Sequence, residues 1–194
     1  MNFADLLNSV NSIEEKYPPV HLWDPDLCVG VEMKIDREGN WFYQGSIIGR
    51  DKIKILFSRI LKFEDNNYYL VTPVEKVLVN VDLAPYMIVD YEVDIDHKNI
   101  ILKTNLDLSI PLDQDHKLEI KKIGDEQIPF VQIRNNIEGF ISRSVYYSLI
   151  EIALMQDNGS SELLTLKSFD CNFELGEMLS LIHISEPTRP LIIA

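Results

Sequence analysis

Two stretches of this chain read alike, and a duplicated unit leaves few folds open to it. Arg50-x-x-Ile53-x-x-Leu56-Phe57-Ser58-Arg59 matches Arg134-x-x-Ile137-x-x-Phe140-Ile141-Ser142-Arg143 at a constant offset of 84 residues. Ile48 and Ile133 precede the two arginines, and Gly39 and Gly124 mark a hairpin turn before each. Each half therefore reads strand, Gly turn, strand, Arg, helix, strand. Two copies of such a unit predict a duplicated α+β module, whereas a solenoid would need more copies.

Apolar spacing fills in the units. Phe3, Leu6, Leu7, Val10 and Ile13 predict a short amphipathic helix, ended by Pro18-Pro19. Val31, Met33 and Ile35 alternate with Glu32, Lys34 and Asp36, the pattern of a half-buried strand. Glu38-Gly39-Asn40 turns it into Trp41-Phe42-Tyr43, and Gln44-Gly45-Ser46 makes a second tight turn. Ile53, Leu56, Phe57, Ile60 and Leu61 form one buried face of a helix starting near Arg50. Glu64-Asp65-Asn66-Asn67 is expected to end it, before a strand over 68–72. In the second half, strands are expected over 87–95, 100–112, 117–123 and 128–133, with turns at 96–99 and 124–125. A long helix is expected over 136–155, with Ile137, Ile141, Val145, Leu149 and Ile152 on one face. Asp157-Asn158-Gly159 stops it, and 163–173 reads as the last strand. The run from Leu179 to Pro190 resembles the translation of a sequencing adaptor; with His183 and Arg189 it is set aside from fold reasoning.

The 194 residues suffice for one large or two small domains. A net charge of -13 argues against a nucleic-acid polymer or a membrane surface as partner, because phosphate-driven binding needs a basic surface. It leaves open a small anion held in a local basic pocket. No apolar run is long enough to span a bilayer, and the N-terminus lacks the basic region of a signal peptide. Cys28 and Cys171 stand far apart, outside any C-x-x-C spacing, so a cytoplasmic protein with free thiols is expected.

No P-loop, G-x-G-x-x-G or G-x-S-x-G is present, and no cofactor is expected. Asp94-x-Asp96-His97-Lys98 and Asp113-x-Asp115-His116-Lys117 repeat a D-x-D-H-K string, but lack the Gly turn and distal Glu of a hard-cation loop. Solvated turns are expected there, and no metal site. The candidate ligand site is the seam between the halves, Tyr69 to Lys76. Thr72, Glu75 and Lys76 fall on it, Arg50 and Lys52 can approach from the first helix, and Trp41 and Tyr43 offer a stacking wall. Arg50 and Arg134 are placed at helix N-termini, where the dipole disfavours a cation, so helix stability does not explain them. Each offers a fork for phosphate or carboxylate, or simply packs its stem on an aromatic such as Trp41 or pairs with a nearby acid. Arg143 shares the repeated Ser-Arg pair. His21, beside Trp23, is either a ligand contact or a packed, hydrogen-bonded histidine.

Pro18-Pro19-Val20-His21-Leu22-Trp23, Trp41-Phe42-Tyr43-x-Gly45-x-x-Ile48-x-Arg50, Leu56-Phe57 and Tyr69 to Lys76 together resemble a bacterial family, the domain-of-unknown-function family twelve-eighty-five, over about Tyr17 to Gly176. The resemblance implies an α+β fold of two related domains, the C-terminal one pleckstrin-homology-like: a β-sheet or partial barrel with a packed helix. It implies a nucleotide-like ligand between the domains and a part in signal transduction, with oxidative stress as the setting. The expected layout is an N-terminal helix and Pro linker (1–19), a first module (20–76), a larger second module (77–177) and the adaptor-like tail (178–194). The expected function is a non-catalytic sensor binding a small anionic, nucleotide-like ligand at the domain interface. Two alternatives stand beside it: a hydrolase using Glu75 or His21 as base, and a module for a protein partner using a sheet edge or the aromatic patch.

Overall fold

The computed structural model describes residues 18–94, 99–157 and 163–177. The expected N-terminal helix, most of the turn over 96–99, the Asn158-Gly159 stop and the adaptor-like tail lie outside the described residues. After a single 3-10 turn at Val20–Leu22, β1 (Met33–Ile35), β2 (Trp41–Tyr43) and β3 (Ser46–Ile47) meander outward from the centre of a six-stranded sheet. Helix α1 (Asp51–Arg59) carries the chain to the opposite edge. There β4 (Leu61–Glu64), β5 (Asn67–Val71) and β6 (Lys76–Val81) meander back in. The inner strands β1 and β6 pair in parallel, Met33 opposite Val79 and Ile35 opposite Val81.

The second sheet repeats this strand for strand. β7 (Tyr86–Val93), β8 (Ile100–Thr104) and β9 (Ser109–Pro111) run outward. β10 (Leu118–Ile123), β11 (Glu126–Arg134) and β12 (Ile137–Ile141) run back, and β12 lies parallel to β7. Helix α2 (Arg143–Gln156) follows β12 and packs on β7 and on the hairpin of β13 (Leu163–Ser168) and β14 (Cys171–Glu177). The protein is thus α+β, with two related domains and a sheet-plus-helix arrangement in the second.

The duplication is real, but the matching Arg strings are not its register. Arg50 to Arg59 is the cap and body of α1, whereas Arg134 to Arg143 spans the end of β11, a turn and all of β12. The expected helix over 136–155 therefore begins only at Arg143. Asn135 takes a left-handed φ of 47° and turns the chain, and Ile137, Gly139 and Ile141 then share one strand face. An i, i+4 pair of isoleucines satisfies both the helical and the strand period, which is why the spacing misleads. Strand β4 is a similar case. Leu61 is buried as a helical position would be, but the helix ends at Arg59 and the Asp65-Asn66 hairpin, with φ of 49° and 60°, folds Leu61–Glu64 back on β5. Phe169-Asp170, with φ of 46° and 59°, likewise splits the expected last strand in two, and Asp107 at 59° divides β8 from β9. Val77 and Val79 alternate with Leu78 and Asn80 and bury themselves in the first sheet, so the division expected after Lys76 falls beyond β6.

Both domains feed one apolar core. Trp41, Phe57, Leu70 and Val77 from the first join Ile88, Leu102, Val131 and Leu149 from the second in a continuous cluster. Two glycines leave room that a side chain would fill. A Cβ on Gly139 would sit 3.0 Å from Tyr86 Cβ, its neighbour across the parallel pair. Gly39, in the β1–β2 turn at φ +76°, lies against the β8–β9 turn of the other domain, where a Cβ would come within 2.6 Å of Asn105 Nδ2. No helix among the described residues is long and apolar enough to cross a membrane. Gly39→Ala is strained twice, by its φ and by Asn105, and is expected to lower the unfolding free energy by about 1–2 kcal/mol. Urea denaturation checks this; an unchanged midpoint would show that the two turns yield freely.

Candidate functional site

The expected seam cluster is the β5–β6 turn, inside the first sheet. Thr72 is buried and builds that turn: its hydroxyl accepts from the amides of Val74 (3.4 Å) and Glu75 (3.1 Å), and its own amide donates to the Glu75 carbonyl at 2.8 Å. Glu75 stays in the turn while Lys76 begins β6, and the lysine does not turn back to it. Lys76 instead crosses to Glu64, at 2.6 Å, and lies 4.6 Å from the centre of the Tyr69 ring. Glu64 also accepts Lys62 at 3.0 Å. These side chains are a cross-strand charge network on the outer face, already committed to each other.

The aromatic wall does not form either. Trp41 is 0% exposed, with its ring 6.5 Å from that of Phe57, so no ligand can stack on it. Tyr43 is half-buried against the core, and Trp23 is half-buried with its carbonyl accepting from Lys62 at 3.3 Å. Arg50 is exposed at the N-terminal end of α1 and Arg143 at that of α2. Sequence spacing placed Trp41 with its neighbours in a surface patch; alternation within β2 turns it into the core.

What does come together lies between the domains. Helix α1 closes on itself with the Ile60 amide donating to Phe57, and the carbonyls just beyond have no partner within the helix. Arg134, from the end of β11, supplies one. Its Nη2 donates to the carbonyls of Ser58 (2.6 Å), Arg59 (3.3 Å) and Leu61 (3.4 Å). Tyr86, on β7, donates its hydroxyl to the same Ser58 carbonyl at 3.1 Å. A cation at a helix C-terminus is the favourable end of the dipole, the reverse of the N-terminal placement expected for Arg134. A β-bulge between Gln132 and Arg134 in the β11–β12 pairing turns the side chain toward α1. Arg37 to Glu126, at 2.6 Å, adds an exposed tie between the domains.

Beside this latch is a cleft of about 480 Å³. Pro18, Pro19 and His21 from the N-terminal segment form one side; Leu108, Ile110 and Ile133 give an apolar wall, and His116, Arg134 and Asn135 complete the lining. His21 and Arg134, singled out separately in the sequence, thus meet, and His116 joins them. His116 is held by Asp113, whose Oδ1 lies 2.8 Å from the ring Nδ1 and also accepts the amides of residues 115 and 116. Burial alone would raise the Asp113 carboxyl; the hydrogen bonds from the His116 ring and those amides outweigh it and hold the group below its ordinary 3.8. The D-Q-D-H turn reading therefore stands, but the turn delivers a fixed imidazole to the cleft, which spacing alone did not reveal. The other D-x-D-H-K copy falls mostly outside the described residues.

Comparison with known proteins agrees with this two-part layout. The model of the DUF1285 N-terminal domain matches residues 18–84, and that of the DUF1285 C-terminal domain, also of unknown function, matches 85–175. The structure is similar to that of a DUF1285 family protein from Silicibacter pomeroyi DSS-3, with a TM-score of 0.77 and 35% identity over 91% of this chain and 97% of that one. A DUF1285 family protein from Shewanella baltica OS155 is 29% identical with a TM-score of 0.52, over 62% of this chain and 91% of that one. No curated protein sequence matches the chain.

The Lys76–Glu64 pair gives a test of the seam reading. Lys76, then Lys62, hold the Glu64 carboxyl below its ordinary 4.5, and Glu64 holds Lys76 above 10.5. A lowered carboxylate stabilises above its ordinary value and loses that contribution as pH falls through the folded one; a raised lysine loses its share as pH rises through its own. The contribution is therefore full between those limits. Lys76→Met is expected to leave small-anion binding unchanged and to shallow the loss of stability below pH 4.5. Urea midpoints against pH decide it: an acid limb parallel to that of the wild type would mean the pair stabilises nothing.

Proposed function

The chain belongs to the DUF1285 family, and we propose that it is a non-catalytic ligand-binding protein whose interdomain cleft takes a small anionic, nucleotide-like ligand and reports its presence to a protein partner. One observation carries the reading. In a chain of net charge -13, no acidic residue is among the described residues lining the cleft, while the Arg134 guanidinium and the His21 and His116 rings do line it; the nearby Asp113 carboxylate is engaged by the His116 ring and the turn amides. Clefts lined by one sign of charge concentrate the opposite ion. Leu108, Ile110 and Ile133 offer an apolar wall for a base-like ring, and a cleft of this size falls in the range of small-ligand sites. What supports a role in signalling is that the cleft is lined from both domains, so that occupancy can be felt by both.

Nucleoside mono- and diphosphates are expected to stabilise the protein by about 2.7 kcal/mol at a hundredfold excess over Kd, read as a thermal shift. His116→Ala is expected to weaken binding about tenfold, the loss of one charge-assisted hydrogen bond. No shift with any nucleotide, phosphate or pyrophosphate would sink the proposal. A hydrolytic reading has one observation of its own, the Asp113–His116 pair, which has the form of an oriented general base. Turnover of phosphate esters that vanishes in His116→Ala but not in Glu75→Gln would favour it over binding alone.

A further inference from the structure

Arg134 does two things at once. It lines the cleft, and its Nη2 holds the C-terminal end of α1 through three carbonyls of the other domain. We infer that Arg134 couples the two: an anionic group bound in the cleft draws the guanidinium away from Ser58, Arg59 and Leu61 and frees the end of α1. This rests on the cleft being an anion site, as proposed above.

Three features favour release over a shared arrangement. The three carbonyls that Nη2 meets are neutral, and only the Ser58 contact is short; an anion adds charge attraction and a bidentate fit to the guanidinium that a carbonyl does not offer. Tyr86 remains as a second donor to Ser58, so departure of Arg134 does not leave that buried-side carbonyl without a partner. The bulge next to Arg134 and the left-handed Asn135 put the side chain at the irregular end of β11, beside a tight turn rather than within a regular stretch of ladder. The amides that report on the latch are those of Ile60, which donates to Phe57, and Val71, which donates to Ile60. Ile60 caps the C-terminal end of α1, Val71 ends β5 and is bonded to that cap, and neither is among the residues lining the cleft.

The coupling is reciprocal, since whatever tightens the latch must weaken the anion. Tyr86 is the residue that separates this from a structural role. It lines no part of the described cleft, yet removing its hydroxyl leaves Arg134 the remaining described side-chain donor to Ser58. Tyr86→Phe is therefore expected to hold Arg134 harder and lower affinity for the anion, while a merely structural Tyr86 would leave affinity alone.

Hydrogen exchange on the full chain, with inorganic pyrophosphate and with ADP as probes, tests the inference. Saturation with either is expected to speed exchange of the Ile60 and Val71 amides about fivefold or more, the low end of measured inter-site couplings, while amides of β12 and α2 stay unchanged. Arg134→Lys is expected to show the faster exchange without any ligand and no further change with it. Tyr86→Phe serves where Arg134→Lys fails to fold, and is expected to raise the Kd for pyrophosphate. Binding that perturbs the His21 or His116 ring signals while Ile60 and Val71 exchange is unchanged or slower would overturn the coupling and leave the cleft reading standing. No binding of either probe would overturn both.

Discussion

Each sheet is held together by one parallel pairing at its centre, β1 with β6 and β7 with β12, and the rest of the molecule follows from it. Parallel neighbours cannot be joined by a hairpin. Each pair is therefore separated by two complete meanders, whose outermost strands lie on opposite edges of the sheet. In the first domain α1 makes that crossing. In the second no helix is inserted, and the link between Pro111 and Leu118 must do it alone. A flat six-stranded sheet measures roughly 24 Å across, and that link, fully drawn out, reaches about the same distance. It is not drawn out, because Asp113 folds residues 113–116 into a hydrogen-bonded turn. The sheet has to curl until its edges approach, and the partial barrel is the result. The segment that forces the curl also carries His116 into the cleft.

The same pairing decides where the domains meet. With α1 used as the crossing, its C-terminal end is delivered to the sheet edge, with carbonyls that the helix cannot satisfy. Arg134 and Tyr86 meet those carbonyls from the second domain. A buried carbonyl without a donor costs on the order of 1–3 kcal/mol, so these contacts fix the relative placement of the domains as well as stabilising it. The shared apolar core supplies the bulk of the attraction, which is not directional. The polar contacts select one arrangement among those the core would permit.

The α+β class, the duplication and most strands of this architecture could be read in the residues, because alternation and Gly or Asn turns are local signals. Met33 and Ile35 announced a buried strand face correctly. The register of the repeat could not be read, since the parallel pairing that defines it joins residues far apart in sequence. Ile137 and Ile141 suited a helix as well as a strand, and the turn at Asn135 with the pairing of β12 to β11 and β7 decides between them. The candidate cleft was only partly legible. His21 and Arg134 were each singled out by chemistry without a sign that they meet, while Thr72 and Lys76 were drawn in by their position at an apparent seam. Their real neighbours, Glu64 and the turn amides, lie across strands, where spacing gives no guide.

Gly139 shows how far an absent side chain can act. The space where its Cβ would stand is bounded by Tyr86 on one side and by Ile133 Cδ1, 3.2 Å away, on the other. Tyr86 reaches from there to the end of α1, and Ile133 forms part of the cleft wall. The backbone at 139 therefore works as a keyway between the two. It sets how deeply β7 seats against β12, and with that the distance from which a hydroxyl and an apolar wall must do their work. A residue that touches neither the helix end nor the cleft holds the alignment of both.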